Sequence, residues 1–361
     1  MKTTIDDLVA RLIRHEVRAL SAYHVPDAAG LVKLDAMENP YGWPPALVDA
    51  WLARLRAARL NRYPDPAAPA LKERLRTSMN IPADCAVLLG NGSDELIQML
   101  MLAVTAPGRV VLSPEPSFAM YRLTAIVTGM AYAGVPLTTD FNLDTSAMLA
   151  AITRHQPALT FISYPNNPTG NLFDAEAVRA VIEASPGLVV LDEAYHVFAG
   201  RSFLNELARY PNVLILRTLS KMGLAGLRLG LLIGAPAWLT EIDKTRLPYN
   251  VNVLTQLSAD FALTHQDVLD AQAQDIRRER ERLTAALRGY AALTVYPSCA
   301  NFILFRVPRG RADEIFAALK ARGVLIKNLH GANAALHDCL RVTVGTPEEN
   351  RAFLDALAQA V

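Results

Sequence analysis

Between about residues 84 and 235, six short apolar runs alternate with longer stretches of helical pattern: 86–89 (AVLL), 109–112 (RVVL), 159–162 (LTFI), 188–191 (LVVL), 213–216 (VLIL) and 229–233 (LGLLI). A strand with one wet face alternates polar and apolar side chains. These runs do not, so they predict strands covered on both faces. Such strands, separated by helices, form a largely parallel sheet between helix layers, an α/β fold. In sheets of this kind ligands gather beyond the carboxyl ends of the strands. The residues after each run are therefore the ones to weigh.

At 361 residues there is material for two domains. Past about residue 255 the texture changes. A charged helical segment near 265–290 precedes NFILF (301–305), a helix near 312–322, VLIK (324–327) and LRVTV (340–344), which predicts a smaller α+β domain. The charged segment reads as a solvated face laced with i,i+4 pairs. With 36 basic and 35 acidic side chains the net charge is +1, which argues against a general binder of nucleic acid or anionic membrane. Cys85, Cys299 and Cys339 form no CxxC and point to reduced thiols in a cytoplasmic protein, with no metal site. The N-terminus is charged throughout and puts Ile5, Leu8, Val9, Leu12 and Ile13 on one side of an amphipathic helix. No apolar run approaches ~20 residues, so no membrane span is expected.

After the first run comes GNGSDE (90–95), then a helical pattern. A glycine-rich turn feeding a helix offers unpaired N–H groups and the positive end of the helix dipole, a cradle for phosphate. It is equally an ordinary helix start capped by Ser93 and Asp94. After the second run, prolines deliver Phe118, a ring-stacker or a core residue. After the third, Asn167 precedes a proline that holds it extended, in a segment that is also plain turn chemistry. After the fourth, Asp192 is a carboxylate at a buried strand end, costly unless paired. Tyr195 brings a phenol to the same point, and His196 beside it reads as a packed or solvent-facing histidine. After the fifth, Ser220 and Lys221 lead to Arg228 past Gly223 and Gly226. Alone, the lysine is a surface charge.

Taken together, these strand ends describe a pocket for a phosphorylated aromatic aldehyde containing a ring nitrogen, pyridoxal 5′-phosphate. The chain resembles the fold type I pyridoxal-phosphate enzymes and, among them, the histidinol-phosphate aminotransferases. The resemblance spans nearly the whole chain: AYHVP (22–26), MENPYG (37–42), NRYPDP (61–66), GNGSDE (90–95), PNNPTG (165–170), LDEAY (191–195), TLSK (218–221) with AGLR (225–228), and LRVTVG (340–345). It implies an N-terminal arm, 1–37, packing on the small domain and a dimer partner, a large cofactor-binding domain over 38–255, and a small α+β domain over 256–361.

Residue by residue, the resemblance makes Lys221 the covalent anchor of the cofactor and Asp192 the partner of its pyridine nitrogen. Asn167 and Tyr195 would hold the 3′-oxygen, and Phe118 would stack where the family often has tyrosine. Gly92, Ser93, Asp94, Ser220 and Arg228 would line the phosphate site. Tyr63 would reach the phosphate of a second subunit, which implies a homodimer with shared sites. Arg341 would grip the α-carboxylate of glutamate or 2-oxoglutarate, a bidentate task suited to arginine. Asn39 would line the substrate pocket, Tyr23 would meet the substrate's phosphate end, and Lys327 stands near where some relatives have a second arginine. The implied reaction is transamination between L-histidinol phosphate and 2-oxoglutarate. Aromatic aminotransferases and phosphothreonine decarboxylases share much of this set.

Overall fold

A computed structural model of the chain describes residues 3–22 and 25–361, so Tyr23 lies outside the described residues. After a two-residue strand β1 (Val32–Lys33), the chain builds a sheet from β2 (Ala86–Asn91), β3 (Val110–Glu115), β4 (Ala131–Pro136), β5 (Leu159–Ser163), β6 (Leu188–Asp192), β7 (Val213–Thr218) and β8 (Leu229–Gly234). The order is β2-β8-β7-β6-β5-β3-β4. All six apolar runs become strands. β4, which no apolar run announced, is the partly exposed edge. Side chains divide by alternation: Val213 and Ile215 of β7 enter the core on one face, Leu214 and Leu216 the core on the other.

β8 alone runs antiparallel, to both β2 and β7. Between β7 and β8 lie only residues 219–228, with two short 3-10 turns, too little chain for a parallel crossover. The reversal has a functional consequence. The amino end of β8 lies at the same sheet edge as the carboxyl ends of its neighbours, so Arg228 joins the residues that emerge from β2, β5, β6 and β7.

The small domain holds β9 (Thr294–Val295), β10 (Phe302–Arg306), β12 (Lys327–Asn328) and β13 (Cys339–Thr343) in one antiparallel sheet, while β11 (Val324–Leu325) pairs with β1. The run expected as one strand over 324–327 is thus split at Ile326 between two sheets. Helix Val253–Thr264 straddles the expected boundary at 255, yet it packs on the large domain: Ala259, Ala262 and Leu263 join that core, and Ser258 accepts from Trp51 Nε1 at 2.8 Å. We propose that the boundary falls at His265, the joint to helix Gln266–Arg288. That second helix is not simply a solvated face. Glu279 accepts from Asn350 Nδ2 at 3.2 Å and Arg280 donates to the Ala300 carbonyl at 3.1 Å, both from buried positions. Its ion pairs include two at i,i+3, Asp275 with Arg278 and Glu279 with Arg282, and one between the adjacent Arg280 and Glu281.

The arm divides between domains. Helix Ile5–Leu12 buries none of its residues, and Arg14 donates to the Val127 carbonyl on the large domain. The last residues of the arm meet the small domain, where Leu34 N donates to Leu325 O at 2.7 Å. Among the described residues no helix is long and apolar enough to cross a membrane.

Candidate active site

At the sheet edge just described lies a cavity of about 360 Å³, walled by strand ends of the large domain and by Ala36, Met37 and Glu38. Its walls include Ser93, Asp94, Phe118, Asn167, Asp192, Tyr195, Ser220, Lys221 and Arg228. The residues picked out at successive strand ends thus converge on one space.

One corner is built for an anion. Helix Ser93–Val104 begins after Gly92, which has no side chain to cap it, and among the described residues no side-chain cap is made there. The alternative of a self-capped helix start is set aside: Asp94 instead pairs with Arg228 at 3.4 Å. Arg228 Nη1 also lies 3.4 Å from Ser220 Oγ. Open donors at a helix start, a hydroxyl and a guanidinium make a phosphate cradle. Glycines allow the crowding. A Cβ on Gly92, whose φ is +85°, would sit 2.7 Å from Arg228 Nη2, and one on Gly230 would sit 2.6 Å from Ser93 N. Gly230→Ala must therefore push the cradle backbone aside, at a cost of about 1–3 kcal/mol. A cofactor titration should show weakened affinity together with a lowered Tm; wild-type affinity would contradict the cradle.

At the cavity floor Asp192 is 3% exposed. Its Oδ2 accepts from the Tyr121 phenol at 2.6 Å and its Oδ1 from Ala194 N at 3.1 Å. Burial pushes its carboxyl up to about 6, opposed by those two donors and reinforced by Asp94 and Glu193. Glu193, the next residue, points to the opposite side of the strand and is bound by Arg217 at 2.8 Å, which makes it structural. His196 is packed as well: its Nδ1 lies 3.0 Å from the Glu193 carbonyl, and burial holds its pKa far below the usual range, leaving it neutral. Asn167 Nδ2 donates to the Tyr195 oxygen at 3.2 Å, while Asn167 Oδ1 accepts from Arg341 Nη1 at 2.6 Å. Arg341 thereby connects the small domain to the cavity.

Lys221 Nζ lies 3.4 Å from the Ala36 carbonyl and 5.9 Å from the centre of the Tyr195 ring. Removal from bulk water, then Arg341 and Arg228, lower its pKa to about 8, against the pull of Glu38 and Asp94. Only the neutral amine attacks a carbonyl. The rate at which the cofactor-free chain combines with pyridoxal phosphate should rise through about pH 8 and level off above it, by stopped-flow absorbance. A midpoint near the ordinary 10.5 would show that the cavity leaves the amine unperturbed.

Among the described residues, five expected site residues do not line this cavity: Gly92 lies behind the helix start, Arg341 reaches it only through Asn167, and Asn39, Lys327 and Tyr63 are engaged elsewhere. The Asn39 amide donates to Met222 O (3.2 Å) and Gln272 Oε1 (3.0 Å), tying the loop to helix Gln266–Arg288. Lys327 is the cross-strand partner of Arg341, which itself stands behind Asn167. Tyr63 is 79% exposed and stacks on Tyr249 with ring centres 4.3 Å apart. Two residues without an assigned role prove prominent: Glu38 on the wall and Tyr121 beneath it. Tyr121 follows Phe118 by three residues, and a buried phenol needs a partner; that was the available signal.

One ligand accounts for an open phosphate cradle, a buried carboxylate, a stacking ring, an oxygen-binding amide and phenol, and an amine of lowered pKa. The donor set fits pyridoxal 5′-phosphate, and the surrounding architecture is that of the fold type I enzymes using it. A solved example is a histidinol-phosphate aminotransferase from Sinorhizobium meliloti in complex with pyridoxal-5′-phosphate, 27% identical, with a TM-score of 0.84 and 97% of each chain covered. This chain belongs to the aminotransferase class I and II family, which it matches over residues 29–357. It is 60% identical to histidinol-phosphate aminotransferase 2 of Nitrosococcus oceani over 351 residues, 97% of this chain and 98% of that one. It is 51% identical to the histidinol-phosphate aminotransferase of Chromobacterium violaceum over 349 residues, 97% and 98% of the two chains.

Proposed function

We propose that this chain is a pyridoxal-phosphate-dependent aminotransferase carrying the amino group of L-histidinol phosphate to 2-oxoglutarate, giving imidazole acetol phosphate and L-glutamate in histidine biosynthesis. Full-length similarity to enzymes of that name supports the substrate. The observation that carries the reading is that Arg341, from the small domain, donates to Asn167 on the wall of the cavity that holds Lys221 and helps to lower the pKa of that amine. One substrate offers a carboxylate to bind and the other a phosphate. A fixed guanidinium with a second cation, Lys327, on the adjacent strand suits both anions.

When bound, the cofactor supplies an aldehyde for covalent capture of the amine and a ring that takes up the electrons left at Cα. Lys221 Nζ holds that aldehyde between turnovers and, once released, accepts the Cα proton. Its lowered pKa makes it neutral enough to do so near pH 8. Asp192, ionised above about pH 6, keeps a cationic ring nitrogen paired. Asn167 and Tyr195 hold the ring oxygen; Tyr195 stays a phenol because burial raises its pKa. Phe118 covers the ring, and the Ser93 helix start, Ser220 and Arg228 fix the phosphate, so the breaking C–H bond is held in one orientation. Tyr23 is placed by this reading at the substrate's phosphate end.

The reading includes a cytoplasmic homodimer. Tyr63, absent from its own cavity and exposed, would reach the phosphate site of the second subunit, with Leu60 and Leu247, each 71% exposed, as neighbouring apolar surface. A monomer mass by sedimentation at micromolar concentration would remove this part. For the reaction, the test is holoenzyme kinetics with L-histidinol phosphate against tyrosine and phenylalanine. The expected kcat/KM favours histidinol phosphate by at least about 100-fold, because tyrosine and phenylalanine bring an α-carboxylate but not the phosphate that this reading assigns to Tyr23 and Lys327. Parity with tyrosine, or release of carbon dioxide, would overturn the substrate.

A further inference from the structure

Asp192 does not hold its place alone. Its partner Tyr121 is fully buried, donates a 2.6 Å hydrogen bond to Oδ2, and comes from helix Met120–Thr128 on the far side of the carboxylate from the cavity. The Tyr121 ring cannot swing, because it stacks on Phe161 of β5 with centres 4.5 Å apart and planes 8° apart. It also meets the Phe118 ring in a T-shaped contact, with centres 5.5 Å apart and planes at 85°. One side chain therefore touches both the carboxylate beneath the cofactor ring and the aromatic that covers it.

We propose that Tyr121 is a positioning residue for this reaction: its phenol orients the Asp192 carboxylate and keeps it ionised, while its ring sets the tilt of Phe118. The inference rests on the reading of Asp192 as the partner of the ring nitrogen. The groups facing Asp192 are few. Asp94 approaches from helix Ser93–Val104, and Glu193 and Tyr195 follow it in its own segment. The Ser163 hydroxyl of β5 lies at the phenol. Burial, Asp94 and Glu193 disfavour the charge, and the phenol and Ala194 N favour it. A hydrogen bond to a charged, buried acceptor belongs to the stronger class, so its loss is measurable.

The test is Tyr121→Phe, which keeps the stacked ring and removes the hydroxyl. The acid limb of cofactor binding to the cofactor-free chain should move to higher pH by about one unit, because the ionised carboxylate has lost a donor. In the holoenzyme kcat near neutral pH should fall by about tenfold to 100-fold and recover as pH rises. On an Asp192→Asn background the same change should alter kcat by less than about twofold, since residues acting through one another are not additive. Incorporating 3-fluorotyrosine at position 121, a stronger donor of the same shape, should move the limb the other way, and it serves if Tyr121→Phe folds poorly. A loss independent of pH, or losses that multiply in the double variant, would overturn the proposal. A crippled Asp192→Asn beside a wild-type profile for Tyr121→Phe sinks this inference alone; if Asp192→Asn turns over normally, both readings fall.

Discussion

Replacing Lys221 with alanine abolishes transamination while leaving the cofactor in place without its tether. The expected loss in kcat is at least about 10⁴-fold, because the substitution removes both the covalent anchor and the general base. The physical basis is the setting of the amine. The cavity withholds water, and Arg341 and Arg228 repel a second positive charge, so the pKa of Nζ falls from 10.5 to about 8 and the neutral amine is far more abundant than on a surface lysine. A surface lysine would be a reagent in name only. Cofactor affinity should survive in part, since the cradle at Ser93, Ser220 and Arg228 and the carboxylate of Asp192 do not depend on position 221. Three measurements check this: turnover, the visible absorption band of the covalent form, and borohydride labelling at residue 221. The band and the label should vanish with the activity. Retained turnover would refute the assignment.

The sequence was most legible where a single strand decided the matter. Residues after β2, β5, β6 and β7 had to emerge at one edge, and Ser93, Asn167, Asp192 and Lys221 do line one cavity. Arg228 was legible as a nearby cation, but its arrival depends on β8 running backwards, which no apolar run encodes. The short connection of residues 219–228 was the available clue. What escaped were pairings between distant segments. Asn39 looked like a pocket residue within MENPYG, yet its amide is taken by Gln272, more than two hundred positions on. VLIK read as one strand because its hydrophobicity is continuous, whereas the chain hands over at Ile326 from a partner at β1 to one at β13. Tyr121 shows the same limit: position predicts a core aromatic, but only the folded chain shows its hydroxyl on Asp192. β4 was missed because an edge strand carrying alanine, glycine and proline has little apolar signature.

Asp192→Asn is expected to bind the cofactor and turn over poorly, with kcat reduced by about 10²–10⁴-fold. The amide keeps the shape and one acceptor for the Tyr121 phenol, but it carries no charge. The cofactor's ring nitrogen then has no buried anion to keep it cationic, and losing one partner of a buried pair costs about 3–5 kcal/mol, with each 1.36 kcal/mol worth tenfold in rate. Stability should move the opposite way. In the cofactor-free chain burial raises this carboxyl from the ordinary 3.8 to about 6. The folded state therefore binds the proton more tightly than the unfolded one, and stability falls as pH rises through that window. At neutral pH the charge is a net cost to the fold, which asparagine relieves. The Tm of the cofactor-free variant should equal or exceed that of the parent at pH 7 and lose its advantage below pH 4. A destabilised variant with normal turnover would mean that the carboxylate serves the scaffold. A stable, slow one means that the fold keeps a buried charge at its own expense because the cofactor needs it.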